Sequence, residues 1–240
     1  FSTVSGIWQR IERPEWQRLR RFARLGVPAG LSVLVEVTSF TLMALFIARL
    51  GTAASAAHQI ASNLTAVAYM MPLSLAIATS ARVSFWPGAG DATQARRACR
   101  RGFELTVCFA LLCAGAMAAL RWQLAGIYSA NPAVVALGAT LLLATAVYHF
   151  ADALQTLRVF VLRCLRATLG PLAVYCGLLW GLGLGGGYLL AYRGFGHWSA
   201  MPSPLAFWVM GALALAVTAG LFIALLLASL RPAPGRPRLA

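Results

Sequence analysis

Six apolar runs, each long enough to cross a lipid bilayer, dominate this sequence. Spanning the hydrocarbon core takes about 20 residues in a helix. Inside lipid, each backbone N–H and C=O group must find its partner within the segment, which leaves the α-helix as the natural solution for separate apolar runs. The sequence therefore predicts an all-α fold, a polytopic membrane bundle of six transmembrane helices. Their expected bounds are 25–48, 53–81, 102–120, 133–162, 168–192 and 205–230, between a basic connector at 1–24 and a tail at 231–240.

The composition supports a membrane protein and argues against a nucleic-acid-binding one. Hydrophobic residues make up 60% of the 240 residues and charged residues 11%, whereas soluble domains average about 45–50% and about 25%. The net charge of +14, taken alone, would suggest nucleic acid as a partner. The basic residues, however, lie between the apolar runs, which is the pattern of cytoplasmic loops beside membrane lipid.

The basic residues also predict the orientation. All 20 are arginines, and with the high alanine content this usage is typical of a GC-rich bacterium. Seventeen of them belong to the connector, the tail and the alternate loops on the same side, while Arg49, Arg121 and Arg193 belong to the other side. Because cytoplasmic loops carry the excess of positive charge, we expect a bacterial inner-membrane protein with both termini of this segment in the cytoplasm.

Two acidic residues, Glu36 and Asp152, lie inside apolar runs. A carboxylate at the centre of a membrane helix costs about 2.5–3.5 kcal/mol on insertion scales, and such residues commonly mark an ion or substrate path. The alternative is a structural hydrogen bond between helices. Glu36 is expected about 16 Å from the cytoplasmic end of its helix. Asp152 reaches the same depth if the fourth helix continues to about Leu162.

Neighbours of Asp152 extend the candidate site. Tyr148 and His149 precede it by four and three residues, so the three side chains can share one helix face. A histidine at this place could relay protons. Arg158, six residues after the acid, is expected to extend toward the membrane interface rather than neutralise Asp152.

The other four acids, Glu12, Glu15, Asp91 and Glu104, fall on the basic side. Glu104 stands at helical spacing from Arg100 and Arg101 and is expected to pair with one of them. Glu36 and Asp152 are thus the acids left without an evident basic neighbour in sequence.

Three segments carry a family resemblance. They are GVPAGLSVLVEV at 26–37, LGTAASAAHQIASN at 50–63 and MPLSLAIATSARV at 71–83, and weaker agreement continues through Tyr148, Asp152 and the LR of Leu162 and Arg163. The chain resembles the multidrug and toxic compound extrusion (MATE) family, in its NorM-like bacterial branch. Two loops depart from the family pattern, at Ser84 and at Cys164.

The resemblance implies an architecture and a site. Family members have twelve helices in two six-helix lobes, and this chain resembles the C-terminal lobe, whose partner would be an N-terminal lobe. Glu36 then matches the acid of the seventh family helix, and Asp152 and Tyr148 match the acid and tyrosine of the tenth. Gln59 and Tyr69 match cavity-facing positions of the eighth helix, and Asn63 and His149 are further candidates for the wall of the substrate cavity.

The resemblance also implies a function, the exchange of cationic small molecules for inward-moving Na⁺ or H⁺. Glu36 and Asp152, with a tyrosine hydroxyl and an amide oxygen, would bind Na⁺ if that is the coupling ion, and no other cofactor is expected. Two alternatives stay open, a flippase for lipid-linked precursors and a half-lobe that does not transport by itself. The sequence contains no hydrolytic motif that would support an enzyme. The glycines at 181–187 serve either as close-packing sites or as hinges.

Overall fold

The computed structural model describes residues 15–164, 169–194 and 199–230, and these form a bundle of long helices. The helices are α1 (Trp16–Ala48), α2 (Thr52–Gly88), α3 (Ala92–Ala119), α4 (Arg121–Tyr128), α5 (Pro132–Cys164), α6 (Leu169–Cys176), α7 (Gly186–Tyr192) and α8 (Pro204–Leu230). A π-helical segment, Gly177–Gly185, joins α6 to α7. The predicted all-α class and six-span membrane bundle are confirmed, because six helical stretches of the described chain are long and apolar enough to cross a membrane.

Several helices extend beyond the apolar runs. α1 begins at Trp16, inside the segment expected to be a connector; α2 continues to Gly88, and α3 begins at Ala92. The short helix α4 was not expected, and it lies between the third and fourth membrane helices. The tail at 231–240 lies outside the described residues.

The turns between these helices are short and depend on glycine and aspartate. Gly51 and Gly90 have φ values of 108° and 81°, a region that favours a residue without Cβ. The Asp91 carboxylate accepts hydrogen bonds from the backbone N–H groups of Thr93 and Gln94, each at 3.0 Å, and so caps the start of α3. Such tight turns let a helix cross the bilayer and return beside its predecessor.

Helix α5 forms the centre of the bundle. It packs against α2, α3, α4 and α8, and 56% of its most apolar stretch is buried, compared with 17% for α1. Much of α1 is therefore exposed, and its exposed side chains include Leu34 and Leu45. α5 therefore lies at the centre of the bundle, and α1 lies at one side of it.

The two departures from the family pattern meet in space. The Ser84 hydroxyl, near the end of α2, donates to the Sγ atom of Cys164 at 3.1 Å. The Cys164 thiol in turn donates to the carbonyl oxygens of Phe160 at 3.3 Å and Ser80 at 3.5 Å. Cys164 thus links the end of α5 to α2.

Glycines of the π-helical segment and of α7 pack closely against α8. A Cβ atom on Gly187 would lie 2.7 Å from Cδ1 of Phe207, and one on Gly183 would lie 3.4 Å from Cβ of Ala214. At Gly177 and Gly181 the same atom would meet nothing within 4 Å. The glycine-rich stretch therefore contains glycines that pack closely against α8, such as Gly183 and Gly187, and glycines with open space where a Cβ would be, such as Gly177 and Gly181.

Candidate functional site

A cavity of about 630 Å³ lies between α1, α2, α5 and α6, and both membrane acids line it. Its wall mixes apolar side chains such as Val37 and Phe40 with a larger set of polar ones. The polar lining residues are Ser32, Glu36, Thr41, Ser62, Asn63, Thr65, Tyr69, Tyr148, Asp152, Gln155, Thr156, Arg163 and Tyr175.

The two carboxyl groups come from different helices. Glu36 is half-buried on α1, and Asp152, only 5% exposed, is on α5. Within residues 15–164, 169–194 and 199–230, neither acid forms an ion pair; the pairs found there are Arg18 with Glu15, and Arg100 and Arg101 with Glu104. The expected pairing of Glu104 is therefore confirmed. The two membrane acids are left to interact with whatever enters the cavity.

The extent of α5 agrees with one condition set by the sequence. α5 does not end near Leu157 but continues past Leu162 to Cys164. α1, however, begins at Trp16 rather than at residue 25, so the distance of Glu36 from the end of its helix is greater than expected. The two acids are brought together by the packing of the helices, and both side chains line the same cavity.

Aromatic packing fixes the ring of Tyr148 at the cavity wall. Its centroid lies 6.0 Å from that of Phe40 and 5.4 Å from that of Trp208, in edge-to-face geometry. Gly211 leaves room on the remaining side, since a Cβ there would lie 3.3 Å from Cε2 of the ring. Such contacts orient an aromatic side chain, so the Tyr148 hydroxyl is held one helical turn from Asp152.

Several polar lining residues were not singled out from the sequence, among them Gln155, Thr156 and Tyr175. Gln155 and Thr156, both buried, follow Asp152 by three and four residues, and the Thr156 hydroxyl donates to Oε1 of Gln155 at 3.3 Å. The same helical spacing that selected Tyr148 would have found them. Tyr175, also buried, comes from α6, and its contribution depends on tertiary packing.

Of the four residues that the sequence suggested for the cavity wall, two line the cavity and two do not. Asn63 and Tyr69 line the cavity. Gln59 does not, because it lies one turn beyond the lining stretch of α2, where its Nε2 donates to Oδ1 of Asn63 at 3.1 Å. His149 does not line it either. It follows Tyr148 by one residue, so its side chain lies about 100° further around the helix. The expectation that His149 shares the cavity face of α5 is corrected accordingly.

The placement of Arg158 is a second correction. Its side chain is buried rather than extended to the interface, and Nη1 donates to the carbonyl oxygen of Ala219 at 3.0 Å. The guanidinium lies over the ring of Phe103, 5.5 Å from its centroid. A carbonyl and an aromatic face thus take the place of water around the charge, and Asp152 receives no salt bridge from it.

The chemistry of the cavity suits a cation. Carboxylate, hydroxyl and amide oxygens are the ligands that hard cations accept, and the wall supplies Glu36, Asp152, Tyr148 and Asn63. In the part of the chain that the structure describes, no group of three or more histidine, cysteine or acidic residues is arranged to hold a metal ion. Two carboxylates with neutral oxygens could hold a monovalent ion or a proton, and the apolar wall could contact an organic cation.

A family model and curated proteins match the sequence. The model, described as MatE, matches residues 28–189. A protein named "Probable multidrug resistance protein NorM" from Chromobacterium violaceum is 41% identical over 199 residues, covering 78% of this chain and 42% of that protein. One with the same name from Aromatoleum aromaticum is 37% identical over 212 residues, covering 86% and 46%. The chain spans less than half the length of these relatives.

Solved structures share the fold. A MATE transporter from Vibrio cholerae superposes with a TM-score of 0.79 at 20% identity, covering 93% of this chain and 49% of that one. A eukaryotic MATE transporter gives a TM-score of 0.78 at 21% identity, covering 90% and 48%. The described bundle is therefore similar to about half of each of these transporters.

Proposed function

The chain belongs to the MATE family, in its NorM-like branch, and on this premise we propose that it supplies the cation-binding lobe of an antiporter. The antiporter exports cationic small molecules in exchange for Na⁺ or H⁺. One observation carries the proposal: Glu36 of α1 and Asp152 of α5 open onto one cavity without an ion pair in the described chain.

Exchange follows from competition for negative charge. A small cation bound by Glu36 and Asp152 neutralises the cavity, and a cationic drug that enters needs the same two carboxylates. If the site cannot hold both at once, the binding of each lowers the affinity for the other by the same factor. Export of the drug is then coupled to inward release of the ion.

The remaining lining residues have complementary roles in this scheme. The hydroxyl of Tyr148 and the amide of Asn63 supply neutral oxygen ligands to the small cation. The side chains of Phe40 and Val37 contact the apolar part of the drug. Arg163, which lines the same cavity near the end of α5, repels the drug from that part of the wall and favours its position beside the acids.

A second lobe completes the transporter in this proposal. The chain covers 42% of the Chromobacterium relative, and the cavity lies beside α1, the most exposed of the long helices. An N-terminal lobe would cover this side and close the path through the membrane. The chain is a multi-pass membrane protein, and the arginine distribution supports a bacterial inner-membrane location with both of its termini in the cytoplasm.

The proposal is tested by dye export from bacteria that produce the chain alone or together with an N-terminal lobe. Glu36→Gln and Asp152→Asn should each abolish resistance to cationic dyes. The matched control is Glu104→Gln, which removes the same charge from a surface glutamate paired with Arg100 and Arg101, and it should leave resistance intact. Undiminished export in both cavity variants would refute the proposed site.

The same strains separate the antiporter from a flippase for lipid-linked precursors. A flippase would need a cavity that attracts anionic headgroups, whereas this wall contains two acids and one arginine. We therefore expect cell-wall synthesis to be unaffected by Glu36→Gln and Asp152→Asn. Loss of cell-wall synthesis with intact dye export would favour the flippase.

A further inference from the structure

The carbonyl oxygen of Val35, directly before Glu36, accepts hydrogen bonds from two side chains. One comes from its own helix, where the hydroxyl of Ser39 donates at 2.7 Å. The other comes from the π-helical segment, where Nε1 of Trp180 donates at 3.3 Å. No other carbonyl in the described part of α1 receives a side-chain donor from the π-helical segment.

The surrounding stretch of α1 is built to deform. Pro28 lacks a backbone N–H, so one rung of the helix is missing before Glu36. The hydroxyls of Ser32 and Thr41 donate to carbonyls one turn back, as those of Thr38 and Ser39 do. Such bonds commonly accompany bends in membrane helices. Without an external contact, the direction in which Glu36 projects would be poorly fixed.

The π-helical segment supplies that contact from a firm base. Its glycines let it lie close to α8, where a Cβ on Gly183 would be 3.7 Å from Cα of Gly211. The wider π turn, which often marks a functional position, places Trp180 toward α1. Because α8 also packs on α5, the Trp180 bond connects the helix of Glu36 with the helix of Asp152.

We propose that Trp180 is a positioning residue for Glu36: its indole N–H, bonded to the Val35 carbonyl, sets where the Glu36 carboxyl group stands relative to Asp152 in the cavity. The inference rests on the proposed cation site and assigns the residue that fixes its geometry. Trp180 itself does not line the cavity.

The chain contains a matched control. Tyr192, on α7, donates its hydroxyl to the carbonyl oxygen of Phe46 at 2.6 Å. This bond also ties α1 to the stretch that contains the π turn, but at Phe46, ten residues along α1 from Glu36. Removing it loosens α1 without touching the turn that bears the acid.

The experiment measures cation binding to the purified chain in lipid nanodiscs. Binding of radioactive Na⁺ and uptake of protons are titrated for the unmodified protein, Trp180→Phe and Tyr192→Phe. A further protein carries benzothienylalanine at position 180, which keeps the shape of the indole but has no N–H. Losing one hydrogen bond of ordinary strength should raise the half-saturating cation concentration about two- to tenfold at unchanged stoichiometry.

The outcomes are distinct. The expected shift appears in both position-180 variants and is absent from Tyr192→Phe. An unchanged half-saturating concentration with benzothienylalanine would overturn the role of the N–H, even if Trp180→Phe folds poorly. An equal shift in Tyr192→Phe would also overturn it, since general loosening of α1 would then suffice. If the unmodified chain binds neither Na⁺ nor protons, the proposed cation site is wrong and this inference falls with it.

Discussion

Arg158 donates from Nη1 to the backbone carbonyl oxygen of Ala219 at 3.0 Å, which joins the central helix α5 to α8. The same guanidinium lies over the ring of Phe103 on α3. One buried side chain of α5 therefore contacts two further helices, α3 and α8. Its charge is compensated by a carbonyl dipole and an aromatic face, an arrangement for which the planar guanidinium is better suited than an ammonium group.

Replacing Arg158 should destabilise the bundle. In Arg158→Met the α5–α8 hydrogen bond and the contact with Phe103 are both lost, and a charged hydrogen bond contributes about 1.5–3 kcal/mol. We expect the free energy of unfolding, measured by detergent titration in mixed micelles, to fall by about that amount. Arg158→Lys should recover less than half, because an ammonium cannot donate along the carbonyl and lie flat on the ring.

Arg163→Met is the control for this measurement. Arg163 lies over Phe160 of its own helix, with 5.0 Å between the guanidinium carbon and the ring centroid. Its loss removes a contact within α5 rather than between helices. A decrease as large as that of Arg158→Met would contradict the interhelical role of Arg158.

The close packing of Gly187 on α7 against Phe207 on α8 predicts that a larger residue at position 187 destabilises the bundle. In Gly187→Ala the new Cβ would lie 2.7 Å from Cδ1 and 3.0 Å from Cα of Phe207. Phe207 is fully buried, so the helices must separate, and overpacking of this kind costs about 1–3 kcal/mol. Thermal unfolding in detergent should show a lower midpoint for Gly187→Ala.

Gly181→Ala supplies the comparison. A Cβ at Gly181 meets nothing within 4 Å, so steric overlap is absent, and alanine favours helix more than glycine does. We expect the unfolding midpoint to stay the same or rise. Equal destabilisation by both substitutions would show that helix geometry, rather than contact with Phe207, governs this stretch.

The membrane helices could be predicted from hydropathy, but their ends could not. An apolar run reports the part of a helix that lies in hydrocarbon, whereas hydrogen bonding continues the helix into polar residues. For this reason α1 begins at Trp16 and α2 continues to Gly88. The π turn at Gly177–Gly185 was also beyond prediction, because it depends on the close approach of α8 to glycines whose local preference is weak.

The site could be predicted where chemistry and helical spacing agree. Buried acids are costly enough to be conspicuous, so Glu36 and Asp152 could be selected without knowing their neighbours. Spacing along one helix placed Tyr148 correctly beside Asp152, but it also placed His149 there. Residues three and four positions before Asp152 both lie near it on a helix, so spacing alone cannot tell which of the two faces the cavity. Tyr175 depends on the packing of α6 and has no signal in the local sequence.

His149 leads to a prediction about proton transfer. Its side chain is 1% exposed, and neither ring nitrogen has a hydrogen-bond partner among the described residues. An apolar residue of similar shape removes these buried polar atoms at little cost. His149→Leu should therefore keep or raise the unfolding midpoint and leave proton-driven dye export unchanged.

His58→Leu tests the same reasoning from the other direction. The Nδ1 atom of His58 also has no partner among the described residues, but its Nε2 atom lies 3.3 Å from the hydroxyl of Ser62. The substitution breaks this contact and should lower the midpoint. Reduced proton coupling in His149→Leu, with normal folding, would instead support a relay role for His149.

The shared cavity of Glu36 and Asp152 leads to a prediction about how their substitutions combine. If both carboxylates hold the same cation, the first loss weakens the site and the second has little left to remove. Substitutions at independent sites, in contrast, have additive free energies, so their effects on affinity multiply.

The half-saturating concentration of Na⁺ or H⁺ is measured for Glu36→Gln, Asp152→Asn and the double variant. We expect the double variant to lie within about twofold of the weaker single variant. The control pair, Glu36→Gln with Glu104→Gln, should bind like Glu36→Gln alone, because Glu104 pairs with surface arginines. Multiplied effects for Glu36 and Asp152 would mean that the two acids serve separate sites.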